Sequence, residues 1–109
     1  MYTSLKDGER LLYENSANLL RKFKAIGGKL MVTDQRVIFE TDALDLETGL
    51  ISVTYKKIKK VKSVNTLMVI PNGIELELKS RDKFRFAVWK RKELLELINK
   101  KISGKKGRD

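Results

Sequence analysis

The chain has 109 residues, of which 41% are hydrophobic and 35% charged, and 24 lysines and arginines against 14 aspartates and glutamates give a net charge of +10. This length supports one domain with a modest core. Histidine and cysteine are absent, which excludes nucleophile–histidine triads, histidine- or thiolate-ligated metal sites and disulfides. The composition therefore favours a small, basic, non-enzymatic binding domain with an anionic partner.

The first half of the chain has the short apolar spacing of β-strands. Residues 10–14 predict a first strand. Residues 28–33 and 36–40 predict a hairpin, and Asp34 and Gln35 form its turn because an aspartate side chain can bond nearby backbone N–H groups. Uninterrupted apolar runs are short, as in residues 67–70, and a membrane span needs about 20 such residues. The N-terminus also lacks the apolar stretch of a signal peptide.

The middle of the chain predicts two further strands and a turn. Residues 50–55 are rich in β-branched side chains and predict a fourth strand. Residues 61–64 predict a weaker fifth. Pro71, Asn72 and Gly73 predict a turn into the next strand, because proline fixes φ and the two residues after it tolerate positive φ.

The last third predicts a second hairpin and a helix. Residues 74–79 alternate strictly, which predicts one face toward the core and one toward water, and residues 83–89 follow after a short turn with Phe84, Phe86 and Val88 inward. The helix has apolar residues at spacings of three and four and is expected to end near Gly104; its apolar stripe consists of Leu94, Leu95, Ile98 and Ile102.

About seven antiparallel strands followed by one amphipathic helix define an α+β, mainly β, fold. An open end of such a sheet must be covered, and a C-terminal helix with an apolar stripe suits this. This arrangement is that of the pleckstrin-homology-like barrel, and a plain β-barrel with a trailing helix is the alternative.

Four stretches together resemble GRAM domains, most closely the bacterial single-domain members, and more distantly the GLUE type of the same superfold. These are residues 17–20, 27–40, 67–73 and 84–91. Leu94 departs from the pattern, since many relatives have tryptophan there. The resemblance covers residues 8–102 and implies one GRAM domain of pleckstrin-homology-like fold over residues 1–103, followed by a basic, flexible tail of residues 104–109. It also implies association with membrane lipids or proteins.

Three groups of cations are candidate anion- or lipid-binding residues, each with an alternative interpretation as solvated surface. The first flanks Phe23 in the predicted first inter-strand loop and consists of Arg21, Lys22 and Lys24. The second is a lysine-rich connection with apolar residues every third position, and consists of Lys56, Lys57, Lys59 and Lys60. The third opens the helix, where free backbone N–H groups would also suit an anion, and consists of Lys90, Arg91 and Lys92.

Other patterns favour structural interpretations. Residues 27–29 lack the remainder of a phosphate-binding loop and predict a strand in which side chains would clash. Acidic residues of the segment 40–47 do not have calcium-site spacing and predict a solvated loop. Trp89 is interpreted as a core residue between strand and helix. The sequence predicts no metal, no cofactor and no small-molecule substrate.

We therefore expect a cytoplasmic module that contacts an anionic membrane surface peripherally through its basic loops. Two alternatives differ from this hypothesis: a protein-interaction module with an acidic, peptide or ubiquitin-like partner, and a nucleic-acid-binding protein. Nucleic acid is the less favoured partner, because the aromatic residues occupy core positions rather than a stacking surface.

Overall fold

The computed structural model of the chain describes residues 5–22, 24–41, 50–66 and 69–107, with side chains up to residue 104. It contains seven strands and one helix in this part of the chain: β1 (Leu11–Leu20), β2 (Ala25–Thr33), β3 (Arg36–Thr41), β4 (Leu50–Thr54), β5 (Ile58–Thr66), β6 (Ile70–Leu78), β7 (Lys83–Ala87) and α1 (Arg91–Gly107). A single 3₁₀ turn, Tyr55–Lys57, joins β4 to β5. The α+β, mainly β, fold with seven strands and a C-terminal helix is confirmed.

The strands form one antiparallel sheet in the order β4-β3-β2-β1-β7-β6-β5. The predicted two-residue turn between β2 and β3 is confirmed, with Leu30 opposite Phe39 and Val32 opposite Val37. β1 is longer than predicted and joins the two halves of the sheet. It pairs with β2 along its length and with β7 only through residues 18–20.

The core lies on one side of this curved sheet, and α1 covers it. Leu94 and Ile98 are fully buried in the same cluster as Leu19, Phe39 and Phe86. The rings of Phe39 and Phe86 are tilted, with centroids 5.2 Å apart. Helix α1 packs on β5, β6 and the 3₁₀ turn, so the predicted apolar stripe is confirmed as its packing face.

Gly28 lies within β2, where it allows close contact with β3. A Cβ atom there would be 2.4 Å from the backbone oxygen of Glu40 and 2.7 Å from the Phe39 ring. The structural interpretation of residues 27–29 is therefore confirmed.

The predicted turn at residues 71–73 is wrong, because these residues lie inside β6. Val64 pairs with Gly73 and Thr66 with Ile70, so Asn65 faces both Pro71 and Asn72 in a β-bulge. The bulge accommodates the proline, which has no N–H for a regular ladder. The reversal of the chain falls earlier, between Thr66 and Ile70, where the N–H of Val69 donates to the carbonyl of Thr66 over 3.1 Å.

Two further expectations differ from the structure. Helix α1 continues through Gly104 to Gly107, because a glycine near a helix end permits termination without enforcing it. Ile74 and Leu76 face the core as predicted. Glu75, which the alternation placed on the solvent face, is nevertheless only 1% exposed. The division at residue 103 between a domain and a flexible tail stays a prediction.

Candidate anion-binding cleft

A cleft of about 410 Å³ lies between the β1–β2 loop and the end of β5. Arg21 and Lys22, two of the predicted residues, line it together with Arg85 of β7. The remaining described lining residues are uncharged: Leu20, Val64, Asn65 and Thr66. We call this cavity the basic cleft. Its lining therefore offers three cations and two polar side chains, and it contains no carboxylate among the described residues.

Arg85 is held in position by Glu75 on the neighbouring strand. Its Nε donates to Oε1 of Glu75 over 2.8 Å, and the arginine side chain is 57% exposed while that of Glu75 is 2% exposed. Burial raises the pKa of Glu75, but the Arg85 hydrogen bond and the charges of Arg85, Lys62 and Lys83 outweigh it, so this pKa lies below its usual value. Glu75 thus stays ionised and fixes an arginine whose guanidinium faces solvent.

The hairpin of β5 and β6 forms one wall of the basic cleft, and its stem is held from two sides. From the helix, Nη1 of Arg91 donates to the carbonyls of Val64 and Gly73 over 2.9 and 3.5 Å. From the residue after β7, the N–H of Val88 donates to the carbonyl of Asn72 over 2.8 Å. These contacts connect the stem of the hairpin to the helix and to the segment after β7.

Lys24 and the lysine-rich connection do not line the basic cleft. Lys24 is exposed in the β1–β2 loop, and its carbonyl accepts the N–H of Arg21 over 2.8 Å. The lysine-rich connection lies at the other end of β5, about 20 Å from the cleft at 3.3 Å per residue. Its four exposed lysines are Lys56, Lys57, Lys59 and Lys60, and the last two lie 3.9 and 3.7 Å from carboxylate oxygens of Glu77.

The three cations at the start of α1 differ in their surroundings. Lys90 and Lys92 are exposed, and Lys90 has a φ of 52° just before the helix. Arg91 is partly buried and donates to the two carbonyls of the hairpin stem. Arg91 is therefore placed as a structural contact between helix and sheet, whereas its two neighbours face solvent.

The interpretation of Trp89 as a core residue is wrong, since this residue is 64% exposed. It lines a second cavity of about 310 Å³ with Ser16, Asn18 and Asn72. Small residues of three strands also line this Trp89 groove, with Ala87 of β7 opposite Asn18 of β1 and Ala17 of β1 opposite Gly28 of β2. Val88, not Trp89, is the buried residue at the junction.

A buried ionic network lies away from both cavities, beside the β2–β3 turn. The carboxylate of Glu9 accepts bonds from Nε and Nη2 of Arg36 over 2.8 and 3.1 Å, and from the hydroxyl of Thr33 over 2.6 Å. The hydroxyl of Tyr55 donates to the carbonyl of Thr33. The Arg36 hydrogen bond is the main effect that lowers the pKa of Glu9 to about 2. This network has a structural role.

Several expectations fall partly or wholly outside the described residues. Phe23 of the first basic loop is one, and Asp42, Asp45 and Glu47 of the acidic segment are others; Glu40 lies at the end of β3. In the parts of the chain that the structure covers, no helix is long and apolar enough to cross a membrane, and no group of acidic side chains suits a metal ion.

Sequence reasoning missed Arg85, the third cation of the basic cleft. Arg85 occupies an outward position in a strand whose inward residues were predicted correctly. A charge at such a position is typical of any solvent-facing strand residue, so it did not indicate a site. The alternating pattern of the two strands nevertheless contained a signal for the contact between Arg85 and Glu75. Outward positions on adjacent strands, Glu75 and Arg85, carry opposite charges, and opposite charges directly across a sheet indicate a pair.

The curved seven-stranded sheet closed by a C-terminal helix is the fold of pleckstrin-homology-like domains, which typically bind lipids or proteins and are generally not catalytic. The GRAM domain family matches residues 1–103. The chain belongs to this family. A comparison with curated proteins gave no match.

Solved structures share the fold at low sequence identity. The N-terminal PH domain of Vps36 is similar with a TM-score of 0.72 and 18% identity, over 93% of this chain and 84% of that one. The C-terminal domain of an unknown protein from Leishmania infantum gives 0.71 and 17%, over 88% and 85%. The N-terminal PH domain of human ARAP2 gives 0.68 and 11%, over 99% and 91%. At these identities the likeness concerns the fold alone.

Proposed function

We propose that this GRAM domain is a non-enzymatic module that contacts the headgroups of anionic membrane lipids through the basic cleft. The observation that carries the proposal is the convergence of Arg21, Lys22 and Arg85 on one cavity. Its volume of about 410 Å³ lies within the range of small-ligand sites.

The chemistry of the cleft suits a phosphate group. Arginine presents five N–H donors in a planar fork that matches phosphate geometry. In Arg85 the Nε atom is engaged by Glu75, and this contact orients the rest of the guanidinium. Asn65 and Thr66 add uncharged hydrogen-bonding groups at the rim, which suit the hydroxyls and ester oxygens of a headgroup.

The test is cosedimentation with vesicles of phosphatidylcholine alone or with added phosphatidylglycerol, at low and high salt. We expect binding only to the anionic vesicles, with an affinity that falls as salt rises. The double variant R21Q/K22Q should bind about 30-fold more weakly at low salt, because each cation near an anionic surface contributes about 1 kcal/mol.

A matched control removes the same charge elsewhere. The variant K56Q/K57Q changes two exposed lysines of the lysine-rich connection and should keep its affinity within about threefold. Equal binding of the wild-type protein to neutral and anionic vesicles would contradict the proposal. Equal losses of affinity in the two double variants would also contradict it, because binding would then depend on diffuse attraction over the whole surface and not on the cleft.

A second candidate function, protein binding, is favoured by the Trp89 groove. A groove lined by an exposed tryptophan, by small residues and by Asn18 and Asn72 resembles the aromatic-lined grooves that bind extended peptides. These described lining residues carry no charge, so peptide binding there would persist at high salt, whereas binding through the cations of the basic cleft alone would not. A pull-down that survives high salt distinguishes the two.

A further inference from the structure

The tip of the β5–β6 hairpin exposes apolar side chains. Val69 is 75% exposed and Ile70 is 40% exposed. Glycine, asparagine and aspartate are the usual residues of such tips, but this sequence has an apolar run over residues 67–70, of which the first two lie outside the described residues. Single exposed apolar side chains are common, so a functional interpretation of Val69 and Ile70 depends on which groups lie next to them.

The exposed tip borders the basic cleft. The N–H of Val69 donates to the carbonyl of Thr66 over 3.1 Å, and Ile70 pairs with Thr66 across the hairpin. Thr66 itself lines the cleft with Arg21 and Arg85. Apolar side chains and a group of cations therefore lie next to each other on one rim of the molecule.

The stem beneath the tip is fixed. Arg91 bonds both strands of the stem, and the hydroxyl of Thr66 bonds Oδ1 of Asn72 over 2.6 Å. The two strands that carry Val69 and border the cleft are therefore bonded to each other and to the helix.

We propose that Val69 and Ile70 insert into the apolar boundary of an anionic bilayer while the basic cleft binds the headgroups above it. This inference rests on the proposed function. The adjacent cations select the occupant, because an anionic bilayer presents negative groups at its surface and hydrocarbon a few ångströms deeper. Apolar insertion is insensitive to salt, so it supplies binding that the cleft alone would lose.

The first experiment uses V69S, which changes no charge. We expect V69S to bind phosphatidylglycerol-containing vesicles about tenfold more weakly than wild type, and to lose at high salt the residual binding that wild type keeps. The matched control is L12S. Leu12 is also exposed, at 38%, but it lies at the opposite end of β1 from Leu20, which lines the cleft. The distance between these two residues along the strand is about 25 Å. L12S should bind like wild type.

The second experiment reads insertion directly. The chain has no cysteine, so V69C carries the only thiol and accepts an environment-sensitive fluorophore such as NBD. We expect its emission to rise and shift to shorter wavelength on addition of anionic vesicles. The same label at Q35C, in the β2–β3 turn at the far end of β2, should not respond.

The outcomes separate this inference from the proposed function. Cosedimentation at low salt with no response at residue 69, and with V69S equal to wild type, overturns the insertion and leaves headgroup binding intact. Failure of the wild-type protein to sediment with anionic vesicles overturns both. A dimer in the absence of lipid that V69S abolishes would assign the tip to self-association and overturn the insertion.

Discussion

At the scale of single residues, the most consequential contact is the pair of Glu9 and Arg36. Glu9 is 8% exposed and accepts two bonds from the Arg36 guanidinium. The variant E9Q leaves the arginine charge buried without its counter-ion, which costs about 3–5 kcal/mol. We expect this loss in the free energy of unfolding at pH 7, measured by urea denaturation.

The pH dependence of this pair has a defined sign. The pKa of Glu9 is about 2 in the folded protein and 4.5 ordinarily, so its stabilising contribution is present above about pH 4.5 and is lost as pH falls from 4.5 to about 2. The difference between wild type and E9Q should therefore shrink between pH 7 and pH 3. E14Q is the control, because Glu14 pairs with Lys29 on the exposed surface over 3.0 Å and should cost under about 1 kcal/mol at either pH.

Several residues that carry the family resemblance in this sequence have structural roles. Thr33 and Arg36 donate hydrogen bonds to the buried carboxylate of Glu9. Gly28 leaves room for the backbone of β3. These residues explain why the chain folds as a GRAM domain. These three residues do not line the basic cleft, whereas Leu20 and Arg85 of other resembling stretches do. The resemblance therefore predicted the fold, but it did not single out Arg85.

At the scale of elements, regular periodicity was predictable and irregular pairing was not. The spacing of three through Ile58 and Val61 places both residues in the core although they lie in a strand, because a register shift between Ile58 and Lys60 adds a residue to β5. A second shift places Pro71 inside β6. Bulges of this kind depend on the partner strand, which a single sequence does not identify.

The connection of helix α1 to the β5–β6 hairpin can be tested through Arg91. The variant R91Q removes the bonds to the carbonyls of Val64 and Gly73, and we expect a loss of about 1–2 kcal/mol in the free energy of unfolding. K92Q removes the same charge from an exposed neighbour and should change stability by less than about 0.5 kcal/mol. Urea denaturation of both variants gives the comparison.

The same two variants separate structure from ligand binding at the start of the helix. If R91Q unfolded like K92Q but bound anionic vesicles much more weakly, Arg91 would be a headgroup contact, as the sequence pattern suggested, and its assignment as a contact between helix and sheet would be wrong.

At the scale of the whole molecule, the net charge of +10 is divided among separate places. Arg21 and Lys22 meet Arg85 at the basic cleft, whereas the lysine-rich connection lies at the opposite end of β5. A total charge attracts any polyanion, but only a local arrangement discriminates between them. The sequence predicted the net charge and the basic segments that carry it, whereas the order of the strands determines which of these segments lie together.

This distinction gives a prediction about nucleic acid. Non-specific binding of a single-stranded oligonucleotide follows the number of cations available and falls steeply with salt. Among the described residues Trp89 is the exposed aromatic side chain, too few for a base-stacking surface. R21Q/K22Q and K56Q/K57Q each remove two charges, so fluorescence anisotropy at low salt should show equal losses in the two variants, and no binding by any form at physiological salt. Oligonucleotide binding that persisted there, and fell only in R21Q/K22Q, would make the basic cleft a nucleic-acid site instead of a headgroup site.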